Sequence, residues 1–202
     1  MATLYIDTSY YLSIALFSKD YSLVNIKKLK ESKSSKVLHF EIQKLLQAEN
    51  LSLKTDIENL VISSGPGSYT GIRLAEGIAQ LLEMIGVKVF SFYHFDLLEK
   101  SQKLAWISKA YKGEYFLYNA DLAEMSLIQK DDLLEVTQEY NKIYTHFLDS
   151  FDLDLQRDIE STFDMFIDHS VTVLPQIINQ KTRKTPFYYR KLEDEFKVSV
   201  GG

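Results

Sequence analysis

The stretch from Gly65 to Arg73 reads GPGSYTGIR, and its surroundings decide the fold class of the chain. Before it, Ile57–Ser63 is apolar and rich in β-branched residues, which is typical of a buried central strand. After it, Gly71–Ile85 carries apolar residues at helical spacing. The stretch therefore joins a strand to an amphipathic helix, which is the repeating unit of an α/β fold.

The composition of this loop allows two interpretations. Gly65 and Gly67 permit backbone angles that other residues resist, and Pro66 stiffens the turn between them. Ser68 or Thr70 can cap the helix and leave its first N–H groups pointing outward. Such a loop either binds an anion or is a tight turn without a ligand. The turn is favoured, and the loop matches neither a Walker loop nor the spacing GxGxxG.

The helix after the loop has a broad apolar face and a narrow polar stripe. The stripe consists of Arg73, Glu76, Gln80 and Glu83. Gly77 and Met84 lie at its margin. A glycine inside a helix costs roughly 0.5–1 kcal/mol relative to alanine. Close approach of another helix would compensate for this cost, and so would packing of the glycine within its own domain.

An earlier helix has an apolar residue on its polar side. Ser34 or Ser35 caps this helix, which runs to about Asn50. Phe40 projects from it among the polar residues Lys36, Gln43 and Gln47. Phe40 is either a single exposed aromatic residue, which is common, or a contact for another protein.

The order of elements in the first hundred residues indicates a mixed sheet covered by helices. The predicted strands are Leu4–Asp7, Leu12–Phe17, Ser22–Leu29, Ile57–Ser63 and Val87–Phe90. The predicted helices are Ser35–Asn50, Gly71–Ile85 and His94–Gln102. The first three strands are consecutive, which predicts antiparallel pairing, and strands alternate with helices after them.

The second half of the chain is less regular. Its predicted strands are Leu104–Ala110 and Glu114–Ala120, joined through Lys112-Gly113, and Met125–Gln129. Its predicted helices are Asp131–Tyr140 and Val171–Gln180, with Pro175 in the first turn of the latter. Asp149–Asp158 is acidic and irregular, and Pro186–Arg190 (PFYYR) is a strand-like tail. The change in character predicts two lobes, residues 1–100 and a smaller lobe of residues 101–202.

Composition restricts the classes of function. A net charge of −5 argues against a chain that grips phosphate backbones by itself. The chain has no cysteine, which excludes disulfides, thiolate catalysis and cysteine-ligated zinc. It has neither a secretory signal nor an apolar run near the ~20 residues that cross a bilayer. We therefore expect a cytoplasmic protein that does not enter a membrane.

Candidate catalytic groups are few in the sequence. The four histidines are widely spaced and form neither an HxxxH nor an HExxH pair. They are His39, His94, His146 and His169. Ser9, Ser68 and Thr70 have no base next to them in the sequence. We therefore predict no catalytic residue and no metal site.

The run SGPGSYTGIR, in its strand–loop–helix setting, resembles the signature of the TsaB (YeaZ) family. LYIDTS at 4–9 is similar to the opening strand of that family, KGEYFLY at 112–118 to its second-lobe hairpin, and PFYYR at 186–190 to its closing segment. The chain also departs from the family pattern. Lys109 and Tyr111 stand where Asp and Arg are common, and Ser34-Ser35 replaces a usual His-Ser.

The resemblance implies an actin/Hsp70/sugar-kinase-like (ASKHA) fold with two related lobes, the second reduced. It also implies a non-catalytic subunit that binds and activates a TsaD-like catalytic subunit. Together with an ATPase subunit, such a pair makes N6-threonylcarbamoyladenosine in tRNA. We expect contact with tRNA to be indirect, since the net charge is negative.

The resemblance further implies that the two first-lobe helices pack on the partner. The predicted interface residues are Phe40, Gln43, Gln47, Ser68, Tyr69, Thr70, Arg73, Gly77, Gln80 and Met84. Asp7, Thr8 and Ser9 occupy the position of the phosphate loop in nucleotide-binding members of this fold. They lack the glycine of such loops, so they are weak candidates for nucleotide binding. No intrinsic cofactor is expected, although an adenine nucleotide bound weakly or at the partner interface stays open.

Two other functions compete with this one. The chain could be an enzyme, either a small-molecule kinase of the same fold or a peptidase. It could also be a homodimer that serves only as an interaction module. We expect a homodimer in any case when the partner is absent, because an exposed helix pair often pairs with itself.

Overall fold

Two five-stranded mixed sheets organise the chain. The computed structural model describes residues 1–30, 34–99, 103–110, 113–148 and 159–188. The first sheet consists of β1 (Ala2–Asp7), β2 (Leu12–Phe17), β3 (Leu23–Leu29), β4 (Ile57–Ser63) and β5 (Lys88–Phe92). The second consists of β6 (Leu104–Lys109), β7 (Glu114–Asn119), β8 (Glu124–Gln129), β9 (Lys142–Thr145) and β10 (Ile159–Ser161).

The two sheets have the same topology. Their strand orders are β3-β2-β1-β4-β5 and β8-β7-β6-β9-β10, so each strand of one has a counterpart in the other. In both sheets the first three strands in the chain pair antiparallel and the last two add in parallel. This repeat confirms the predicted actin-like fold with two related lobes.

Helices cover both faces of the first sheet. The helices are α1 (Ser34–Ala48), α2 (Tyr69–Met84), α3 (Leu133–Thr137), α4 (Thr162–Asp168) and α5 (Ser170–Asn179), with a 3-10 turn at His94–Leu97. Side chains alternate along β1, so Leu4 and Ile6 pack under α1 and α2, whereas Tyr5 packs under α4 and α5. Helices late in the chain therefore cover the first sheet, and the domain limits at residue 100 stay a prediction.

Most predicted elements of the first half are present with bounds shifted by a few residues. The predicted helix His94–Gln102 is only a 3-10 turn as far as the structure describes it. Pro175 is the sixth residue of α5 and not part of its first turn. The sequence missed β9, β10 and α4, since strands of four and three residues are too short to show a period.

Several predictions fall outside the described residues. They concern Asp149–Asp158, Tyr111, Lys112, Tyr189 and Arg190, and the side chains of Ser34 and Ser35. The described part of the tail, Pro186–Tyr188, is not a strand. None of the helices in the described ranges has the length and apolar character that a membrane span requires.

Candidate functional site

The GPGSYTGIR loop leads directly into α2. The helix begins at Tyr69, two residues before the predicted start, and ends at Met84. Ser68 is the N-cap, and its Oγ accepts a hydrogen bond from the Gly71 N–H at 3.3 Å. Thr70 is exposed inside the helix and is not the cap. Of the two capping residues that the sequence allowed, the structure therefore selects Ser68.

Two glycines of the loop lie against the turn that follows β1. A Cβ atom at Gly71 would overlap the carbonyl oxygen of Thr8, and one at Gly67 would lie 2.5 Å from the carbonyl oxygen of Ser9. Among the three glycines of this loop, only Gly65 has a positive φ, +99°, which is a conformation that favours glycine. Gly67 and Gly71 thus allow two backbone segments to lie in direct contact, which supports the interpretation of the loop as a tight turn without a ligand.

The weak nucleotide candidates are buried in this contact. Asp7, Thr8 and Ser9 are 0%, 2% and 1% exposed. The Thr8 hydroxyl donates to the carbonyl oxygen of Gly71 at 2.6 Å, and the Ser9 N–H donates to Asp7 Oδ1 at 2.8 Å. These polar groups are occupied within the chain and face away from solvent.

A buried polar cluster surrounds Asp7. His146 Nε2 is hydrogen-bonded to Asp7 Oδ2, and His94 Nε2 lies 3.4 Å from the same oxygen. The two imidazole rings stack with their centroids 3.4 Å apart and their planes within 4°. Ser63 Oγ and Ser9 Oγ both contact His94 Nε2, the latter at 3.3 Å. These five residues are called the inter-lobe cluster below, because His146 follows β9 and the others belong to the first sheet and its loops.

Burial sets the charges of the inter-lobe cluster. Burial, together with the neighbouring His94, lowers the pKa of His146 to about 4, although Asp7 acts in the opposite direction. Burial alone would raise the pKa of Asp7, but its interactions with His146 and His94 outweigh burial and hold the pKa well below its ordinary value. At neutral pH the cluster therefore contains an ionised Asp7 and a neutral His146.

The geometry of the inter-lobe cluster is unlike that of a catalytic site. Ser63 and Asp7 meet His94 at the same nitrogen, Nε2, whereas a Ser-His-Asp relay uses opposite nitrogens. Atoms of Asp7, His94 and His146 that could ligate a metal lie within 4.8 Å of one another. Stacked parallel rings, however, point their in-plane lone pairs in parallel, so one ring would have to turn before both could bind one ion.

The sequence missed the inter-lobe cluster, although part of it had a signal. Asp7 and Ser63 end β1 and β4, and His94 lies two residues after β5. These strands are parallel neighbours, and the carboxyl ends of parallel strands meet at one edge of a sheet. His146 gave no such signal, because it follows β9, which the sequence did not predict.

The outer sides of α1 and α2 expose apolar residues. Phe40, Leu81 and Met84 are 49%, 59% and 82% exposed. Apart from its chain neighbours and the backbone of its own helix, no described residue has an atom within 4 Å of a Cβ built on Gly77, so no other described element packs on the glycine. The other predicted interface residues that are exposed are Gln43, Gln47, Ser68, Thr70, Arg73 and Gln80, and Tyr69 is half-buried. We call this surface, including Leu81 and Gly77, the docking face.

The C-terminal segment borders the docking face at the start of α2. Arg183 pairs with Glu76, with Nη2 at 2.6 Å from Oε1. The Nε of Arg73 donates to the Tyr188 hydroxyl at 3.3 Å, and the Tyr188 ring packs on Tyr69 with centroids 5.0 Å apart. Tyr69 and Arg73 are thus partly occupied by the chain itself, whereas Gly77, Gln80 and Met84 are exposed among the described residues.

The chain is similar to known proteins in sequence and in fold. No protein-family model matches it. It is 32% identical over 128 residues to the tRNA threonylcarbamoyladenosine biosynthesis protein TsaB of Buchnera aphidicola subsp. Schizaphis graminum, an alignment that covers 56% of this chain and 60% of that protein. The chain therefore spans less than two thirds of the length of the curated relative that it matches.

Two solved structures share the fold. YeaZ from Pseudomonas aeruginosa superimposes with a TM-score of 0.59 at 16% identity, over 93% of this chain and 100% of that one. An uncharacterised protein with similarity to peptidase YeaZ from Pseudomonas aeruginosa gives 0.60 at 15% identity, over 94% and 99%. At these identities the match concerns the fold. Together with the sequence match, it confirms the resemblance that the GPGSYTGIR run predicts.

Proposed function

Since the chain is a relative of the TsaB (YeaZ) family in both sequence and fold, we propose that it acts in N6-threonylcarbamoyladenosine modification of tRNA. Its role there is that of a non-catalytic subunit, which binds and activates a TsaD-like catalytic subunit working with an ATPase subunit. The chain itself touches tRNA only indirectly. The observation that carries the proposal is the docking face, which the described residues leave uncovered.

The docking face has the features of a protein interface. Met84 and Leu81 are mostly exposed on one helix, and Phe40 is about half exposed on the neighbouring helix. Exposed apolar residues grouped on one surface mark sites of protein association. Gly77 lies one turn before Leu81 on the same helix, and its lack of a side chain leaves room for a second backbone to approach closely.

We infer a non-catalytic role because the residues of the inter-lobe cluster are buried. In the inter-lobe cluster, Ser63 and His94 are each only 1% exposed, and Asp7 is fully buried. A nucleophile must reach its substrate, and these groups face the interior. A kinase of the same fold remains the alternative enzyme; purified alone, it would hydrolyse ATP in the presence of magnesium, whereas we expect no turnover.

A pull-down with the TsaD-like protein of the same organism tests the proposal, followed by a threonylcarbamoyl-transfer assay with and without this chain. We expect co-purification, and transfer that depends on this chain. Leu81→Glu should weaken binding at least about tenfold, because it places a charge in the apolar part of the docking face. Leu122→Glu is the matched control, since Leu122 is similarly exposed, at 66%, on the β7–β8 turn.

Equal loss of binding in both leucine variants, or full transfer activity without the chain, would contradict the proposal. Light scattering, without and with the TsaD-like partner, distinguishes the proposed function from the alternative of a homodimeric interaction module. We expect a dimer that dissociates when the TsaD-like partner is added. A dimer that persists in the presence of the partner would favour the homodimeric module.

A further inference from the structure

Two chains of hydrogen bonds link the inter-lobe cluster to the loop at residues 64–68, which joins β4 to α2. In the first, Asp7 Oδ1 accepts from the Ser9 N–H, and the Ser9 carbonyl accepts from the N–H of Ser68, the N-cap of α2. In the second, the His94 N–H donates to the Gly65 carbonyl at 3.0 Å, and the Gly65 N–H donates to Ser63 Oγ at 3.3 Å. Gly65 and Ser68, near the two ends of this loop, are thus both linked by hydrogen bonds to the same cluster.

These links are stiff because the backbones are in direct contact. Gly71 lies so close to the Thr8 carbonyl, and Gly67 to the Ser9 carbonyl, that neither position has space for a Cβ atom. The Thr8 hydroxyl also bonds the Gly71 carbonyl. A shift of the Asp7–Ser9 turn would therefore move the first turn of α2 with it.

The second lobe supplies the residue that holds this turn from the other side. His146 follows β9 and bonds Asp7, which lies 139 residues earlier in the chain. The other nitrogen of His146, Nδ1, lies 3.3 Å from Thr162 Oγ1, which accepts a hydrogen bond from Trp106 Nε1. Trp106 is fully buried in the second sheet. The ring of His146 is therefore fixed by its own lobe.

We propose that His146 is a positioning residue for the docking face: through Asp7, Ser9 and Ser68 it fixes the first turn of α2, and with it the alignment of that helix for partner binding. The inference rests on the proposed function and adds that the second lobe sets the affinity of a surface formed by the first. Losing the His146 contact removes one hydrogen bond from a fully buried carboxylate, which loosens the turn that this carboxylate holds.

Hydrogen exchange and partner binding test this inference together. His146→Ala should speed amide exchange at residues 68–72 about tenfold or more and weaken binding to the TsaD-like protein by a similar factor. His146→Gln keeps an amide N–H near the position of Nε2 and should recover most of both effects. His169→Ala, at an exposed histidine, should change neither.

The outcomes distinguish the inference from the proposed function. If the wild type does not bind the partner, the proposed function fails, but the exchange at residues 68–72 still tests the positioning role. If His146→Ala folds, exchanges like the wild type and binds like the wild type, the inference is wrong. If His146→Ala does not fold, Asp7→Asn decides: it should speed exchange at residues 68–72 and weaken binding, and a folded Asp7→Asn with wild-type exchange and binding would also overturn the inference.

Discussion

Glycines at the start and in the middle of α2 have opposite surroundings. At the start of the helix, Gly67 and Gly71 touch the backbone of Thr8 and Ser9 so closely that no side chain fits. In the middle, Gly77 faces outward, with no described atom within 4 Å of the position of its Cβ. The fold requires the first two glycines, whereas nothing within the described chain requires the third.

This difference separates folding from function along a single helix. The loop end of α2 is packed against the inter-lobe cluster, so its sequence is constrained by the interior of the protein. The outer side is constrained only if something outside the chain approaches it. A helix-interior glycine that the described fold does not require is therefore consistent with a docking role. Substitutions at the start of α2 should affect stability, whereas substitutions at Gly77 should affect partner binding.

The largest effect is expected at Gly71. Gly71→Ala forces the new methyl group against the Thr8 carbonyl, and we expect a loss of at least about 3 kcal/mol in the free energy of unfolding. Urea unfolding followed by circular dichroism measures it. A loss below about 1 kcal/mol would mean that the two loops separate easily, contrary to the packing described above.

A smaller effect is expected from pH at the inter-lobe cluster. The pKa of His146 is about 4 in the folded protein and about 6.5 in the unfolded chain, so the unfolded state binds the proton first as the pH falls. Stability is therefore full above pH 6.5 and decreases toward pH 4. The free energy of unfolding should be about 2 kcal/mol lower at pH 5 than at pH 7.5. A decrease of the same size in His146→Gln would assign it to another group.

The helix cap should contribute less. Ser68→Ala removes the acceptor for the Gly71 N–H, and we expect it to cost about 1 kcal/mol. Thr70→Ala is the control two residues later, at an exposed position without a capping role, and should lie within about 0.5 kcal/mol of the wild type. Reversal of this order in thermal or urea unfolding would show that Thr70 caps the helix.

The smallest effect on stability has the opposite sign. Gly77→Ala improves helix propensity without a clash, so it should raise the free energy of unfolding by up to about 1 kcal/mol. It should also weaken partner binding, because the methyl group fills the space left for the other backbone. Stabilisation with unchanged binding would remove Gly77 from the docking face.

The sequence predicted the first lobe better than the second for a physical reason. The apolar run of β4 and the helical spacing of α2 are local patterns, and both elements have nearly the predicted bounds. The strands β9 and β10 are too short to carry a period. The duplication of sheet topology is a property of strand pairing, which the sequence shows only through the family resemblance.

The candidate site divides in the same way. Exposure of Phe40 and Met84 follows from helix geometry, which the sequence contains. The inter-lobe cluster joins Asp7 to residues 87 and 139 positions away, and the contact of Arg73 with Tyr188 spans 115 positions. Such contacts depend on how elements pack together, so no local pattern predicts them.

One substitution tests the central claim most directly. Gly77→Arg places a long charged side chain where the described structure leaves open space, so the free energy of unfolding should stay within about 1 kcal/mol of the wild type. Its affinity for the TsaD-like partner, measured by titration calorimetry, should fall at least about 100-fold. A folded Gly77→Arg protein that binds the partner with wild-type affinity would contradict the account.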